Sequence, residues 1–583
     1  MSLNLNLDSL AQVGAASRAQ ELLQRIHALY QEGYYEVSPD VVSFNSVLKA
    51  WKEDDQPEKA LELLETMIEN DQQGSGGDSV DVDVHVDVIS FNTVIATFAK
   101  QGNYATAMKL LRQMQTDSRY PNPNTITFNI VLYSLAKSND RGTAAQAENL
   151  LREMIQQQQD ASLSGDDVAL VSVDTTSFNT CIFAWSREKD SYRAGHQNNH
   201  SIRYGSAAID AVSNASAERA LELLTIMEEM QEAGNVNVNP DVYSYTTTIQ
   251  AFARCRQPQQ AQQVLQRMTA RGLQPSRMTY TALMSAFSKA GEPEQANKLL
   301  EDMMEAFEDG GFVDLKPDTI ALSCVIDGWA KVASVERPEA AEKVLTLLDT
   351  MKARAHEGMG PNSRTYTSVL TALAKCGTDE MCEMARSLLS EMEQDSNEEM
   401  RPSRIQYNAV LNAYAKSPRA EKALKAKKLF CEMERTVGVD TISYNTLLES
   451  CANSFGNRSL KDLSFLIALE AFKAMLASTK GNKQISDAQI GPTSTTFVQF
   501  TKACRKLLPS QQKKLAAVQR GLQLCRKMGM LNHMVVRQGQ LACRSEAEWK
   551  DTAGELADFV DRKRDFRKHQ GDVPKDWTCN ARR

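Results

Sequence analysis

The chain has 583 residues, of which 42% are apolar and 24% charged, and a formal net charge of −8. That is ample apolar material for a folded body, while the acidic balance argues against sequence-blind, charge-driven binding to nucleic acid. No apolar run is long enough to cross a membrane, and the first residues form neither a basic-apolar signal peptide nor an Arg-rich transit peptide.

In chain order, residues 18–32 read as the second helix of a hairpin whose first helix, in 3–16, is poorly formed. Residues 1–40 are therefore expected to be a partial N-terminal hairpin or cap, and the sequence reads as one that begins inside a longer protein. From residue 41 a unit recurs. Its first half is an aromatic or apolar residue followed by a small polar one: Phe44-Asn45, Phe91-Asn92, Phe128-Asn129, Phe178-Asn179, Tyr245-Thr246, Tyr280-Thr281, Leu322-Ser323, Tyr366-Thr367, Tyr407-Asn408 and Tyr444-Asn445, with a weaker copy at Phe497-Val498. Apolar and small residues then follow at helical spacing, as in Val94, Ile95, Phe98 and Ala99, which predicts an amphipathic helix of about four turns, helix A. After a break such as Gly102-Asn103 or Gln257-Pro258, the stripe Ala-x-x-apolar-apolar-x-x-Met predicts a second helix, helix B, from Ala60–Met67 through Ala468–Met475. A turn such as Pro123-Asn124 or Pro317-Asp318 closes the unit, and Val242 to Ser276 spans 35 residues.

One such hairpin cannot hide its apolar stripes alone, so neighbours must stack. The expected fold is all-α: a right-handed superhelical solenoid of ten to eleven αα-hairpins over 41–532. Gln-, Gly-, Ser-, Asn- and Asp-rich inserts near 71–86, 156–173 and 188–216 are expected to be disordered loops. The alternation Val80-Asp81-Val82-Asp83-Val84 has no partner strand, and His196 and His200, at metal-like spacing, lie inside an insert, so no metal site or cofactor is expected. The eleven cysteines contain no Cys-x-x-Cys pair, and Cys181, Cys324, Cys431 and Cys451 read as reduced core thiols. Beyond Met528 the pattern decays. Residues 533–583 are expected to be capping helices, the last near 545–562, and a basic tail, Arg562 to Lys568.

Helix A carries one more series. Relative to the small polar residue, the position three before it reads Val42, Ile89, Ile126, Thr176, Tyr243, Met278, Ile320, Arg364, Ile405 and Ile442. The position eight after it reads Glu53, Lys100, Lys137, Arg187, Arg254, Lys289, Lys331, Lys375, Lys416 and Asn453. Eleven residues at 100° each bring these two positions within about 20° around the helix, so they share a face. A ladder of flat apolar, small polar and cationic groups suits single-stranded RNA, which offers base planes, base edges and phosphates at a regular spacing. Helix capping and the helix dipole supply a purely structural reading. Capping does not account for Asn or Thr one step inside the aromatic; the dipole alone could account for the lysines.

The 35-residue phrasing, with the aromatic, the small residue before a second aromatic (Ala50-Trp51, Ala184-Trp185, Ala251-Phe252, Gly328-Trp329, Ala413-Tyr414) and the Met in register, resembles the pentatricopeptide repeat family over roughly 41–530, as an array without an appended catalytic domain. The resemblance implies one nucleotide per repeat, read by the polar residue of helix A with the last residue before the next repeat. Those pairs are Asn45 with Asp87, Asn92 with Asn124, Asn129 with Asp174, Asn179 with Asp241, Thr246 with Ser276, Thr281 with Asp318, Ser323 with Asn362, Thr367 with Ser403, Asn408 with Asp440, and Asn445 with Thr493. By the family's pattern they imply the strand 5′-U-Y-U-U-R-G-A-R-U-Y-3′, with Y a pyrimidine and R a purine. The residues three before would sandwich the bases, although Thr176 and Arg364 depart from the apolar pattern, and the cations from Lys100 to Lys416 would meet phosphates.

The His-x-Glu and Cys-x-x-Cys of a zinc deaminase do not occur, and no alternating strand-helix segment follows residue 530. The sequence therefore reads as a non-enzymatic, monomeric single-stranded RNA-binding protein. It is expected to act by occupancy in RNA processing, stabilisation or translation alongside other RNA-processing proteins, without a membrane. By analogy with the family it would work in a mitochondrion or plastid. A protein-interaction scaffold, or the RNA-binding subunit of a nuclease assembly, is the alternative.

Overall fold

The computed structural model describes residues 2–560 apart from 14, 33, 35–38, 74–85, 118, 165–170, 189–214, 311–312 and 479–490, together with 574–578 and 580. It divides into two units: residues 1–290 with 312–315, and residues 291–311 with 316–583. Both are built from helical hairpins, and the fold is an all-α solenoid.

The N-terminal unit holds α1 (Ser2–Gln12), α2 (Ala16–Gln31), α3 (Val41–Glu53), α4 (Pro57–Gln73), α5 (Val88–Lys100), α6 (Tyr104–Thr116), α7 (Thr125–Lys137), α8 (Thr143–Ser164), α9 (Thr175–Arg187), α10 (Ala215–Glu232), α11 (Val242–Cys255), α12 (Pro258–Ala270) and α13 (Arg277–Ala290). The C-terminal unit holds α14 (Pro293–Gly310), α15 (Thr319–Val332), α16 (Glu339–Ala353), α17 (Ser363–Cys376), α18 (Asp379–Gln394), α19 (Arg404–Lys416), α20 (Lys422–Thr436), α21 (Thr441–Ala452), α22 (Arg458–Ser478), α23 (Ser494–Leu507), α24 (Gln511–Lys527), α25 (His533–Ala542) and α26 (Glu546–Ala553).

Within each unit the A helices stack on one another in sequence, α1 to α3 to α5 through α13 and α15 to α17 through α25, while each B helix wedges between its own A helix and the next. The sequence explains this layering. The aromatic that opens each helix A (Phe91, Phe128, Phe178, Tyr245, Tyr407, Phe497) is buried, and burial of each such ring stabilises by roughly 1.5–3 kcal/mol. The Ala that opens each helix B stripe, Ala60 through Ala468, is fully buried, because only a methyl lets two helices approach there. Most A helices begin on an extended N-cap whose side chain accepts from the backbone N–H three residues on, as Asp40 does from Ser43 at 2.8 Å and Asp174 from Ser177 at 2.7 Å.

Three expectations are corrected. The N-terminal first helix is formed: α1 runs from Ser2, buries Leu7 and Ala11, and stacks on α3. The alternation Leu-Asn-Leu-Asn-Leu at 3–7 hides its helical period. The insert placed at 156–173 is helical in its first part, because α8 runs to Ser164 through Gln and Ala, which tolerate helix well; similarly, α4 reaches Gln73. The last α-helix ends at Ala553 rather than near 562, where Gly554 (φ 57°) turns the chain into a short 3₁₀ segment. The Val80–Val84 alternation, His196, His200, Arg562–Lys568 and most of the inserts at 71–86 and 188–216 lie outside the described residues. Among the described residues the cysteines form no disulfide. Cys181 and Cys451 are buried and Cys324 and Cys431 partly so, and burial pushes the Cys504 and Cys525 thiols up to about 12.

Candidate nucleic-acid interface

The small polar residue of each helix A is its fifth residue, and the residue that closes the repeat is the N-cap of the next helix A. Stacking of A helices therefore brings the two together at a corner. In the N-terminal unit the Asn45 amide donates to both Asp87 carboxylate oxygens at 3.3 Å. Asn129 donates to Asp174 at 3.2 and 3.1 Å, Asn179 to Asp241 at 3.2 Å, and Asn92 to Asn124 at 3.5 Å. In the C-terminal unit Asn408 donates to Asp440 at 3.3 and 3.5 Å, and Asn445 to Thr493 at 3.2 Å.

Other corners close through a third residue. Thr279 lies 2.7 Å from Thr246 and 3.0 Å from Ser276, and Thr365 lies 2.8 Å from Ser323 and 3.0 Å from Asn362. At the eighth corner Gln406 stands between Thr367 and Ser403. Its amide N–H donates to Thr367 Oγ1 at 2.8 Å, and its Oε1 accepts from the Ser403 N–H at 2.9 Å. Thr281 donates to the Arg277 carbonyl at 2.8 Å, and Asp318, in the other unit, accepts from the Ala321 N–H at 2.9 Å.

The third residue is what the sequence reading missed: the residue immediately before each aromatic. Where it is Ser or Thr, its hydroxyl bonds to the N-cap side chain of its own helix, and at four of the six Asn corners it also donates to the amide oxygen of the preceding corner. Ser90 donates to Asn45 Oδ1 at 2.8 Å, Ser177 to Asn129 at 2.7 Å, Ser244 to Asn179 at 2.5 Å and Thr496 to Asn445 at 2.6 Å. An amide oxygen that accepts from this hydroxyl turns its NH₂ toward the carboxylate, so the network fixes the amide orientation. At Asn92 and Asn408 the Oδ1 is buried without a partner. The signal was in the sequence, since Ser or Thr holds this place in eight of the ten repeats.

Charge follows the same geometry. Burial pushes the Asp440 carboxyl up, but hydrogen bonds from the Ser443 backbone and hydroxyl and from Asn408, with Arg404 nearby, outweigh it and hold the group below its ordinary range.

Each corner is flanked by the residue three before it, and this series points outward. Ile89, Ile126, Met278, Ile320, Ile405 and Ile442 are exposed, with Tyr243 the least open at 49% and Ile405 the most at 65%. Single exposed apolar side chains are ordinary, but a register of them beside polar corners is informative. Of the two departures, Thr176 is exposed, and Arg364 points outward while pairing with Asp327 at 3.3 Å.

The cations sit at the far end of helix A and reach back to the previous one. Lys137 donates to the Lys100 carbonyl at 2.5 Å, Lys375 to the Ala330 and Lys331 carbonyls at 2.6 and 3.0 Å, and Arg254 to the Ser186 carbonyl. Arg187 contacts Asn139 at 3.3 Å, and Lys100 lies 3.8 Å from Asp55. Lys289, Lys331 and Lys416 continue the series at the C-terminal ends of α13, α15 and α19. These groups have a structural task at helix C-termini, yet an ammonium has three donors and Lys137 and Lys416 remain exposed. Burial, then crowding by Lys416 and Lys331, holds the Lys375 pKa below the ordinary lysine value.

Fold and face together define a helical-repeat protein in which, within each unit, the stacked A helices present a periodic surface. Family models agree. A pentatricopeptide repeat domain matches residues 225–305 and 346–417, the PPR repeat family matches 86–137, and a PPR repeat matches 42–71. These matched stretches of the chain carry pentatricopeptide repeats. A chloroplastic pentatricopeptide repeat-containing protein of Arabidopsis thaliana is 24% identical over 164 residues, which is 28% of this chain and only 19% of that protein. The crystal structure of the pentatricopeptide repeat protein PPR10 from maize aligns with 96% of this chain and 68% of its own at 20% identity and a TM-score of 0.52, a likeness of fold. PPR10 in complex with an 18-nt psaJ RNA element aligns at 18% identity over 98% of this chain and 85% of its own, with a TM-score of 0.36. Among the described residues no helix is long and apolar enough to cross a membrane.

Proposed function

We propose that this protein binds single-stranded RNA sequence-selectively, one nucleotide per corner, and acts by occupying its site rather than by catalysis. The observation that carries this reading is the register of outward apolar side chains beside the polar corners. Folding alone gives no reason to leave Ile89, Ile126, Met278, Ile320, Ile405 and Ile442 in water at one helical position, and a base plane gives each a partner. Carboxylates at a corner accept from the ring N–H of uracil or guanine, and amides or hydroxyls donate to the ring nitrogens of cytosine or adenine. The implied strand is 5′-U-Y-U-U-R-G-A-R-U-Y-3′. The matched pentatricopeptide repeats support RNA as the partner, and the chloroplastic relative supports an organelle, mitochondrion or plastid, as the place of work. Filter binding with this strand, its complement and a scrambled strand tests the reading. The designed strand is expected to bind at least tenfold more tightly than either, and equal affinity for all three overturns it.

A further inference from the structure

The fourth corner differs from the others. A cavity of about 470 Å³, open to solvent, is lined there by Tyr133, Lys137, Thr176, Asn179, Phe183, Tyr243 and their neighbours. Asn179 is the reading amide of this corner, and Tyr243 belongs to the outward series. Thr176 stands where the other helices carry a larger side chain and so leaves room. Tyr133 and Phe183 belong to neither the corner nor the ladder. Each lies four residues after the polar residue of its helix, about 40° around and roughly 6 Å along from it, between the reading amide and the cation. That is where the sugar joining a base to its phosphate would run. The same position in the other repeats holds Lys49, Ala96, Gln250, Ser285, Asp327, Thr371, Asn412 and Glu449, so aromatic rings occur there only in the third and fourth repeats.

The rings are available. Tyr133 is 50% exposed and Tyr243 49%, while Phe183 is partly exposed. Each of the two new rings has its own cation over it, Lys137 Nζ at 6.0 Å from the Tyr133 centroid and the Arg187 guanidinium at 5.5 Å from that of Phe183. A ring face with a cation above it is a place for a flat or puckered ring carrying a negative charge at its end.

We infer that Tyr133, Phe183 and Tyr243 form an aromatic cradle that holds the fourth nucleotide by stacking, its base against Tyr243 and its sugar against Phe183 and Tyr133. This makes it the anchor of the bound strand whatever its base. The inference rests on the RNA-binding reading but separates affinity from letter choice: Asn179 and Asp241 select the base, and the rings supply hold.

An abasic scan of the ten-letter strand against the unaltered protein tests it. Removing the fourth base is expected to weaken binding by about tenfold or more, a typical loss for one stacked base and larger than the loss at any other position. The double variant Tyr133→Leu, Phe183→Leu, which alters no core residue, is expected to weaken the full strand about tenfold while leaving the preference at the fourth letter unchanged. A flat scan, or a double variant with full affinity, overturns the cradle even though the strand still outcompetes its scrambled form. Equal binding of designed and scrambled strands overturns the underlying reading instead.

Discussion

A single side chain decides whether a corner can read. At the eighth corner the Thr367 hydroxyl donates to the Ser363 carbonyl at 2.9 Å and accepts from Gln406, while the Ser403 hydroxyl donates to Gln406 Oε1 and accepts from the Ile405 N–H at 3.3 Å. Both hydroxyl protons are committed, and Gln406 is buried and cannot reach a base itself. Diverting such bonds to a base edge gives up about 1 kcal/mol each. The protein is therefore expected to bind all four letters at position eight within about threefold, and Gln406→Thr, which restores the hydroxyl found at Thr279 and Thr365, to favour purines by about fivefold or more. Competition binding with four strands differing at that letter checks this. Selectivity in the unaltered protein, or none in the variant, contradicts it. Asp440 gives a pH prediction. Its folded pKa lies below the ordinary 3.8, so its stabilisation is complete above that value and is lost as pH falls through the lowered folded value. Asp440→Asn retains a capping side chain. Urea unfolding should place it about 1 kcal/mol below the unaltered protein at pH 7, with the gap closing as pH falls from 3.8 through the lowered folded value; a gap independent of pH would show that the charge is not what stabilises.

At the scale of the element, the hairpin turns require a left-handed residue. Gly102 (φ 75°), Gly272 (φ 75°) and Gly377 (φ 63°) supply it, but Asp55 (φ 57°) and Arg256 (φ 59°) fill two of these places with a Cβ. The left-handed region costs an L-residue about 1–2 kcal/mol, partly offset by the entropy a glycine loses on folding. Arg256→Gly is thus expected to stabilise by about 0.5 kcal/mol. Gly377→Ala, whose new Cβ would come 3.2 Å from Lys416 Cβ, is expected to destabilise by about 1–2 kcal/mol. Urea midpoints decide both signs. These turns also mark how far the sequence could be read. The Phe-Asn and Ala-x-x-Leu-Leu-x-x-Met phrases announce helices A and B because their burial repeats at a fixed period. The α1 helix escaped because its leucines alternate with asparagines, and the end of α8 escaped because a Gln-rich run reads equally as loop or helix. The corner pairs could be listed once the family resemblance said which two positions to join. The hydroxyl that joins them could not, because its role appears only when one helix A is laid against the next.

For the whole molecule, a net charge of −8 is compatible with a line of cations along each unit because the cations are drawn to helix C-termini and repeat with them. Binding should weaken with salt by about 0.7 logarithmic units per tenfold change for each phosphate neutralised. Lys137→Ala should reduce that slope by about 0.7 without changing letter preference, whereas an altered corner should change preference and leave the slope alone. The central claim is that each corner whose polar edge is not tied up internally reads its own letter, and one measurement reaches it most directly: the affinity of the double variant Asn129→Thr, Asp174→Asn for strands carrying U or A at the third position. Preference is expected to move from U to A at that letter only. Retention of U, or an equal loss of affinity for both strands, would contradict the account.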